Sequence, residues 1–499
     1  MTSDATDIGR SGLIVLFGTG VSMFAFYLLR IALARGLPQD VFGAIILMLS
    51  VLDIAVMGCL FGLNQGLVKH LPSTSRGDSE QNTYITVSIA TVIVTSVLLT
   101  AVGMLSLDYI RRTVFADSVS RGFVIITLVA LPFYAIIKLS AGTLRGYQDT
   151  VSYTLVSKIA LSGGRLLAAV AGLLIVGSGI AVVLGIVVAY VATAVFGLVF
   201  VCWSGWRPTI DTNVGVLSFF SFSLPLLFSS SLYILLTRAD KLMIGYFTSA
   251  TATVGQYEVA VTIASLLTVF HKSFSFLLFP RISELVSDGK QKLIPPLYNQ
   301  ATRWILVFTT PLLSVIILRP AFFVDLFGND YALDPVYVPI SILAGAKLVD
   351  SVLGPNGQAL LGFGKSRTVF VYNCIAVSVN IVLNILLIPV YGIVGAAISS
   401  LVGYLCMNLL KTGDLYLNHQ FDLFDRGSVL YTIVSISSAS IISVIVPETG
   451  GLVIEVLFVV AVAATSLVTG VFSLYKFNYI NSRDKETVKN IFDTLSNVR

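Results

Sequence analysis

Five charged residues sit deep inside long apolar stretches of this chain: Asp53, Lys158, Arg165, Lys347 and Asp350. Arg30 and Arg238 lie nearer the ends of two further stretches. An ionised side chain at the centre of a bilayer costs at least about 2.5–3.5 kcal/mol, so each of these must face a partner or a wet cavity. Lys158 and Arg165 are seven residues apart, a spacing that returns to nearly the same helix face after two turns and lines up a cationic track. In low-dielectric surroundings such cations hold an anion by Coulomb attraction and charge-assisted hydrogen bonds. The competing arrangement is structural, with Lys158 snorkelling to the interface and Arg165 bridging to Asp53. Lys347 and Asp350 stand i,i+3 and can satisfy each other. Asp53 can instead take up a proton or a sodium ion. Asn373, Asn380 and Asn384 fall on one predicted helix, where side-chain amides suit interhelical hydrogen bonds.

The elements that must position these residues are membrane helices. Fourteen stretches match a hydrocarbon core of about 30 Å, which takes about 20 apolar residues. They are predicted near 11–33, 40–63, 82–106, 121–141, 152–176, 179–203, 217–237, 256–279, 301–319, 337–355, 368–388, 392–411, 428–446 and 451–475. Composition agrees, with 56% hydrophobic and only 11% charged residues. Period-2 alternation is missing, so helices rather than a barrel satisfy the backbone. The first stretch exceeds a signal-peptide core of about 7–15 residues and reads as a retained helix despite Ala32-Leu33-Ala34. With a cytoplasmic N-terminus, the inner segments carry Arg10, Lys69, Arg76, Arg145, Arg207, Arg281, Lys290, Lys292 and a basic tail, against about half as many basic residues outside. That bias places both termini inside the cell membrane. The net charge of +5 therefore calls for no nucleic acid.

Chemistry of the catalytic kind has no residues to stand on. The four cysteines, Cys59, Cys202, Cys374 and Cys406, fall within spans without CxxC spacing and read as small core hydrophobes. His70, His271 and His419 are too dispersed for a zinc site, and no GxSxG, HExxH, P-loop or paired-carboxylate motif occurs. Neither an enzyme nor a metal or cofactor is expected. The segments 281–299 and 485–495 have amphipathic patterns suited to the inner membrane surface.

The chain also repeats itself at a separation of about 208–216 residues, as sequence markers rather than extensive identity. Phe42-Gly43 pairs with Val254-Gly255, His70-Leu71-Pro72 with Leu278-Phe279-Pro280, and Leu144-Arg145-Gly146-Tyr147 with Leu360-Leu361-Gly362-Phe363. Six crossings separate the copies, which makes a parallel repeat about an axis along the membrane normal. The predicted architecture is all-α, with two pseudo-symmetric six-helix lobes at 1–210 and 211–415, two further helices at 416–475 and a cytoplasmic tail at 476–499.

These residues resemble polysaccharide-export flippases of the multidrug/oligosaccharidyl-lipid/polysaccharide superfamily. The resemblance rests on Gly9-Arg10-Ser11-Gly12, Ala32-Leu33-Ala34-Arg35-Gly36-Leu37-Pro38 with Phe42-Gly43, and Gly142-Thr143-Leu144-Arg145-Gly146. It continues in Thr237-Arg238-Ala239-Asp240-Lys241-Leu242-Met243-Ile244-Gly245, in Val254-Gly255-Gln256-Tyr257, and in Asn380, Asn384 and Pro389 before Tyr391-Gly392-Ile393-Val394-Gly395-Ala396-Ala397. It implies a transporter that turns a polyprenyl- or dolichyl-phosphate-linked oligosaccharide to the outer leaflet by alternating access. Membrane lipids and glycosyltransferases of the same pathway would be its partners. Arg30, Asp53, Lys158, Arg165, Arg238 and Lys347 are then the candidate substrate-binding residues, their cations drawing the lipid phosphate through the membrane, and the helix-11 asparagines offer sugar contacts. The rivals are a multidrug or cation antiporter of the same superfamily, which usually has twelve spans, and a membrane glycan polymerase or glycosyltransferase. The latter calls for a long outer loop or a catalytic carboxylate motif.

Overall fold

The computed structural model describes all residues except Met1, 74–77, Ala116, Asn213, 329–330, Gln420, 422–425, 446–451 and 477–499. The expected cytoplasmic tail, its amphipathic segment and Arg76 lie outside the described residues. Every regular element among the described residues is helical. The first ten are α1 (Thr2–Gly36), α2 (Gln39–Leu60), α3 (Leu63–His70), α4 (Ser79–Leu105), α5 (Leu107–Thr113), α6 (Arg121–Gly146), α7 (Thr150–Thr154), α8 (Leu161–Ile175), α9 (Gly179–Trp203) and α10 (Val216–Thr248). They continue as α11 (Thr251–Ser265), α12 (Thr268–Ser287), α13 (Ile294–Leu318), α14 (Pro320–Asp325), α15 (Leu333–Val352), α16 (Asn356–Gly362), α17 (Ser366–His419), α18 (Arg426–Ile445) and α19 (Leu452–Lys476). Among the described residues, ten helices are long and apolar enough to cross a membrane, or eleven if the bent α11–α12 pair counts as one. The chain is a multi-pass membrane protein.

Glycines set the reversals. After α8, Gly177 takes a φ of +67° and Ser178 caps α9 by accepting the Ala181 amide at 3.3 Å. The helices then close tightly, because a methyl on Gly172 would stand 2.9 Å from the Val182 backbone. The 54 residues of α17 are interrupted by Gly392, at φ 54° and ψ −130°. Residues eight apart in a straight helix are about 12 Å apart. A Cβ on Gly395 would nevertheless sit 2.3 Å from the Leu387 carbonyl oxygen, so the chain folds back there. That reversal separates the two spans expected at 368–388 and 392–411.

Packing divides the chain into two compact units. One comprises 1–259, 326–332 and 381–396, and the other 260–325, 333–380 and 397–499. These units follow contact, whereas the lobes expected at 1–210 and 211–415 follow the sequence repeat. In the first unit, the glycines paired by the repeat meet directly. A Cβ on Gly43 would lie 1.8 Å from the Thr251 carbonyl oxygen, and one on Gly255 would lie 2.9 Å from the Gln39 carbonyl oxygen. Small residues let the two backbones touch. In the second unit, Ile282, Leu285 and Ile294 are buried against Leu278 and Tyr298. The apolar residues of 281–299 thus cover the protein's own core, with α12 running to Ser287 and α13 starting at Ile294, rather than forming a separate surface helix.

Candidate functional site

The intramembrane charges of the first unit gather around three carboxylates. Asp53 on α2 takes the Arg238 guanidinium of α10 at 3.1 Å and accepts the Tyr134 hydroxyl of α6 at 2.6 Å. The partner of Asp53 is therefore Arg238, where the sequence offered Arg165. Arg165 instead lies over two aromatic rings, 5.1 Å from the centroid of Tyr134 and 4.8 Å from that of Tyr190 on α9. The two rings stack at 5.1 Å. Tyr134 thus joins Arg165 to Asp53 through its ring on one side and its hydroxyl on the other, and its ring also faces Lys138 at 4.9 Å. Such cation–π contacts contribute about 2 kcal/mol when desolvated and hold a guanidinium in place without neutralising it.

Deeper in the same unit, Glu258 of α11 is fully buried and bridges two cations. Arg30 Nε approaches Oε1 at 2.7 Å and Lys241 Nζ approaches Oε2 at 2.5 Å. Nη1 of Arg30 is buried and has no hydrogen-bond partner among the described residues. Asp240 accepts the Tyr257 hydroxyl at 2.7 Å. The Arg30 guanidinium is within the field of Arg238, Arg165 and Asp53, so both groups form one cluster. Among the described residues, the five cations of this cluster, Arg30, Lys138, Arg165, Arg238 and Lys241, are set against three carboxylates, Asp53, Asp240 and Glu258. All are buried or half-buried.

Of the six residues singled out in the sequence, Arg30, Asp53, Arg165 and Arg238 come together here. Lys158 does not face the same neighbours as Arg165. Residues Leu155–Ala160 form a π-helical turn, which breaks the α-helical register across the seven-residue spacing. Lys158 lies beside α1, where a Cβ on Gly18 would stand 3.5 Å from its own Cβ. Lys347 belongs to the second unit, with its ammonium 3.6 Å from the centre of the Tyr404 ring. Its i+3 neighbour Asp350 accepts from Asn408 at 3.0 Å. Asn380 and Asn384 are both buried.

Sequence reasoning passed over Glu258, Tyr134 and Tyr190. Glu258 left a signal, being the only acid in the apolar run from Val254 to Val269. The tyrosines left none, since a tyrosine in an apolar helix is ordinary. The run Arg238–Lys241 looked like the end of a span at 237, yet α10 continues to Thr248. Glu258 and Tyr257 supply the partners that let those charges remain helical and buried.

A polytopic helical bundle with excess cation among the described residues of its interior has the architecture of a membrane transporter. The chain belongs to the family described as polysaccharide biosynthesis protein, which matches residues 8–286. The MatE family matches residues 225–386. Over 413 residues the chain is 23% identical to the probable low-salt glycan biosynthesis flippase Agl15 of Haloferax volcanii, covering 80% of this chain and 81% of that one. Over 270 residues it is 28% identical to the membrane protein MJ1068 of Methanocaldococcus jannaschii, and spans about half the length of each chain, 52%. Its fold is similar to that of the lipid II flippase MurJ in an inward closed conformation. The TM-score is 0.76 at 13% identity, over 94% of this chain and 100% of that one.

Proposed function

We propose that this chain is a flippase for a polyprenyl- or dolichyl-phosphate-linked oligosaccharide and that the cationic cluster of its first unit receives the phosphate. The observation that carries this reading is the excess of cations over carboxylates in an interior where uncompensated charge is costly. An incoming phosphate supplies the missing negative charge. Arg165, held on two tyrosine rings rather than on a carboxylate, is the guanidinium best placed to bind it bidentately. Arg238 is half-buried and extends the field, whereas Arg30 and Lys241 are engaged by Glu258. The description of Agl15 as a glycan-biosynthesis flippase supports the same substrate class.

The cluster is exposed to the two leaflets in turn, with the lobes at 1–210 and 211–415 as the moving parts. The protein resides in the cytoplasmic membrane with both termini inside, and glycosyltransferases of the same pathway supply its cargo. An antiporter coupled through Asp53 is the weaker reading, because Arg238 and Tyr134 already occupy that carboxylate.

Binding of a lipid phosphate to protein in nanodiscs tests the assignment. Arg165→Ala should weaken binding roughly ten- to a hundredfold, the equivalent of losing one charge-assisted contact. Arg165→Lys should keep part of it, retaining charge but not the planar fork. Full binding and full headgroup translocation by an abundant Arg165→Ala protein would remove the phosphate from this place.

A further inference from the structure

The excess charge of the first unit is not shared between its two groups. Around Glu258 the charges balance, with Arg30 and Lys241 set against Glu258 and Asp240, whose carboxylate accepts the Lys241 amide at 2.9 Å. Around Tyr134 they do not. Arg238 pairs with Asp53 at 3.1 Å, which leaves Arg165 and Lys138 over. Among the described residues neither of these two makes an ion pair within 4 Å. Both are half-buried, so both keep surface that a ligand can touch.

One ring holds the two together. Arg165 Cζ lies 5.1 Å from the centroid of Tyr134 and Lys138 Nζ lies 4.9 Å from it, so the cationic centres can be no farther apart than the sum of those distances. Tyr134 is itself buried and fixed at both ends, its hydroxyl donating to Asp53 at 2.6 Å and its ring stacked on Tyr190 at 5.1 Å. Lys138 follows Tyr134 by one turn of α6, so a single helix face carries the platform and one of its cations. The ring orients both charges and cancels neither.

Two uncompensated positive charges in a membrane interior call for two negative ones. A sugar joined to a lipid through one phosphate makes a phosphodiester, which carries a single negative charge at neutral pH and leaves one cation over. A diphosphate link carries two, on adjacent phosphoryl groups, one for each cation. The planar guanidinium of Arg165 suits bidentate contact with one phosphoryl group, and the compact ammonium of Lys138, with three donors, suits the other.

We infer that Lys138 is a second phosphate-contacting residue and that, with Arg165, it forms a two-cation clamp on Tyr134 fitted to a diphosphate rather than to a single phosphate. The inference rests on the proposed flippase function, which requires a lipid phosphate but sets no number of them.

Two probes with the same polyprenyl chain and the same monosaccharide, one joined through a phosphate and the other through a diphosphate, test the clamp. Binding of each to the full chain in nanodiscs is measured, and the ratio of the two affinities is the readout. The wild-type protein should bind the diphosphate probe about tenfold tighter or more, the equivalent of one further charge-assisted contact. Lys138→Met and Lys138→Gln should each bring the ratio close to unity, chiefly by weakening the diphosphate probe, whereas Lys138→Arg should keep most of it. Arg165→Ala should weaken both probes. A lysine that served only the packing would move both affinities together, so an unchanged ratio in Lys138→Met and Lys138→Gln would overturn the role of Lys138. Equal binding of the two probes by the wild-type protein would overturn the diphosphate assignment. Failure of the wild-type protein to bind either probe would instead overturn the flippase reading.

Discussion

At the scale of residues, the buried charges of the first unit perform two jobs. Glu258 binds Arg30 and Lys241 so closely that these cations serve as structure, tying α1, α10 and α11 together. Removing one member of a buried ion pair leaves its partner uncompensated, at a cost of about 3–5 kcal/mol. Glu258→Gln should therefore lower the thermal unfolding midpoint of the purified protein sharply, while Glu258→Asp, which keeps the charge on a shorter stem, should recover part of it. An unaltered midpoint for Glu258→Gln would mean that the two cations find other partners. Arg165 has a different environment, because aromatic rings orient it without cancelling its charge. Tyr134→Phe separates these roles. It keeps the ring under Arg165 and removes the hydroxyl that Asp53 accepts, so lipid-phosphate binding should change by less than about threefold, whereas Tyr134→Ala should approach the loss seen for Arg165→Ala. Equal losses in both variants would place the effect in the Asp53 hydrogen bond.

Among the elements, the contact of α2 with the start of α11 is the tightest test of the packing. Gly43 and Gly255 bring the two backbones so close that a methyl on Gly43 would fall 1.8 Å from the Thr251 carbonyl oxygen. Neither backbone can yield as the tip of a flexible side chain could. Gly43→Ala should force the helices apart and destabilise the protein by at least the 1–3 kcal/mol typical of overpacking. The measurement is the fraction of monodisperse protein surviving a heat step in detergent. Gly20→Ala, where nothing lies within 4 Å, is the matched control and should be neutral. The π-helical turn at Leu155–Ala160 shows the opposite device, an inserted residue that redirects a side chain within an otherwise continuous span.

For the whole molecule, topology is the quantity that the proposed function depends on, since a flippase must face a defined leaflet. With both termini inside, as proposed, the turn after α12 would lie inside and the segment between α5 and α6 outside. Ser287 and Ser118 are exposed positions in those two places. In a cysteine-free background, Ser118→Cys should react with an impermeant maleimide added to intact cells, and Ser287→Cys should react only after the membrane is opened. The reverse pattern would invert the chain and with it the direction of the proposed transport.

The sequence alone determined the class of this protein, because the solvent imposes it. Hydrocarbon excludes unpaired backbone groups, so long apolar runs must be helices, and the all-helical class, the glycine turn at Gly392 and the family membership were all legible in Val-, Leu- and Gly-rich stretches. It also singled out Arg30, Asp53, Arg165 and Arg238, since any charge in such a run is conspicuous. What it could not decide was who pairs with whom. Asp53 and Arg238 are 185 residues apart in the chain and Arg30 and Glu258 are 228 apart, and the energy of an ion pair depends on a few ångströms of separation that only the packing of helices fixes. Local spacing did not reveal the π-helical turn at Leu155–Ala160, which alters the register between Lys158 and Arg165, nor that distant Glu258 makes the charged run Arg238–Lys241 compatible with a buried helix. Tertiary structure assigned the partners because electrostatics acts through space and not along the chain.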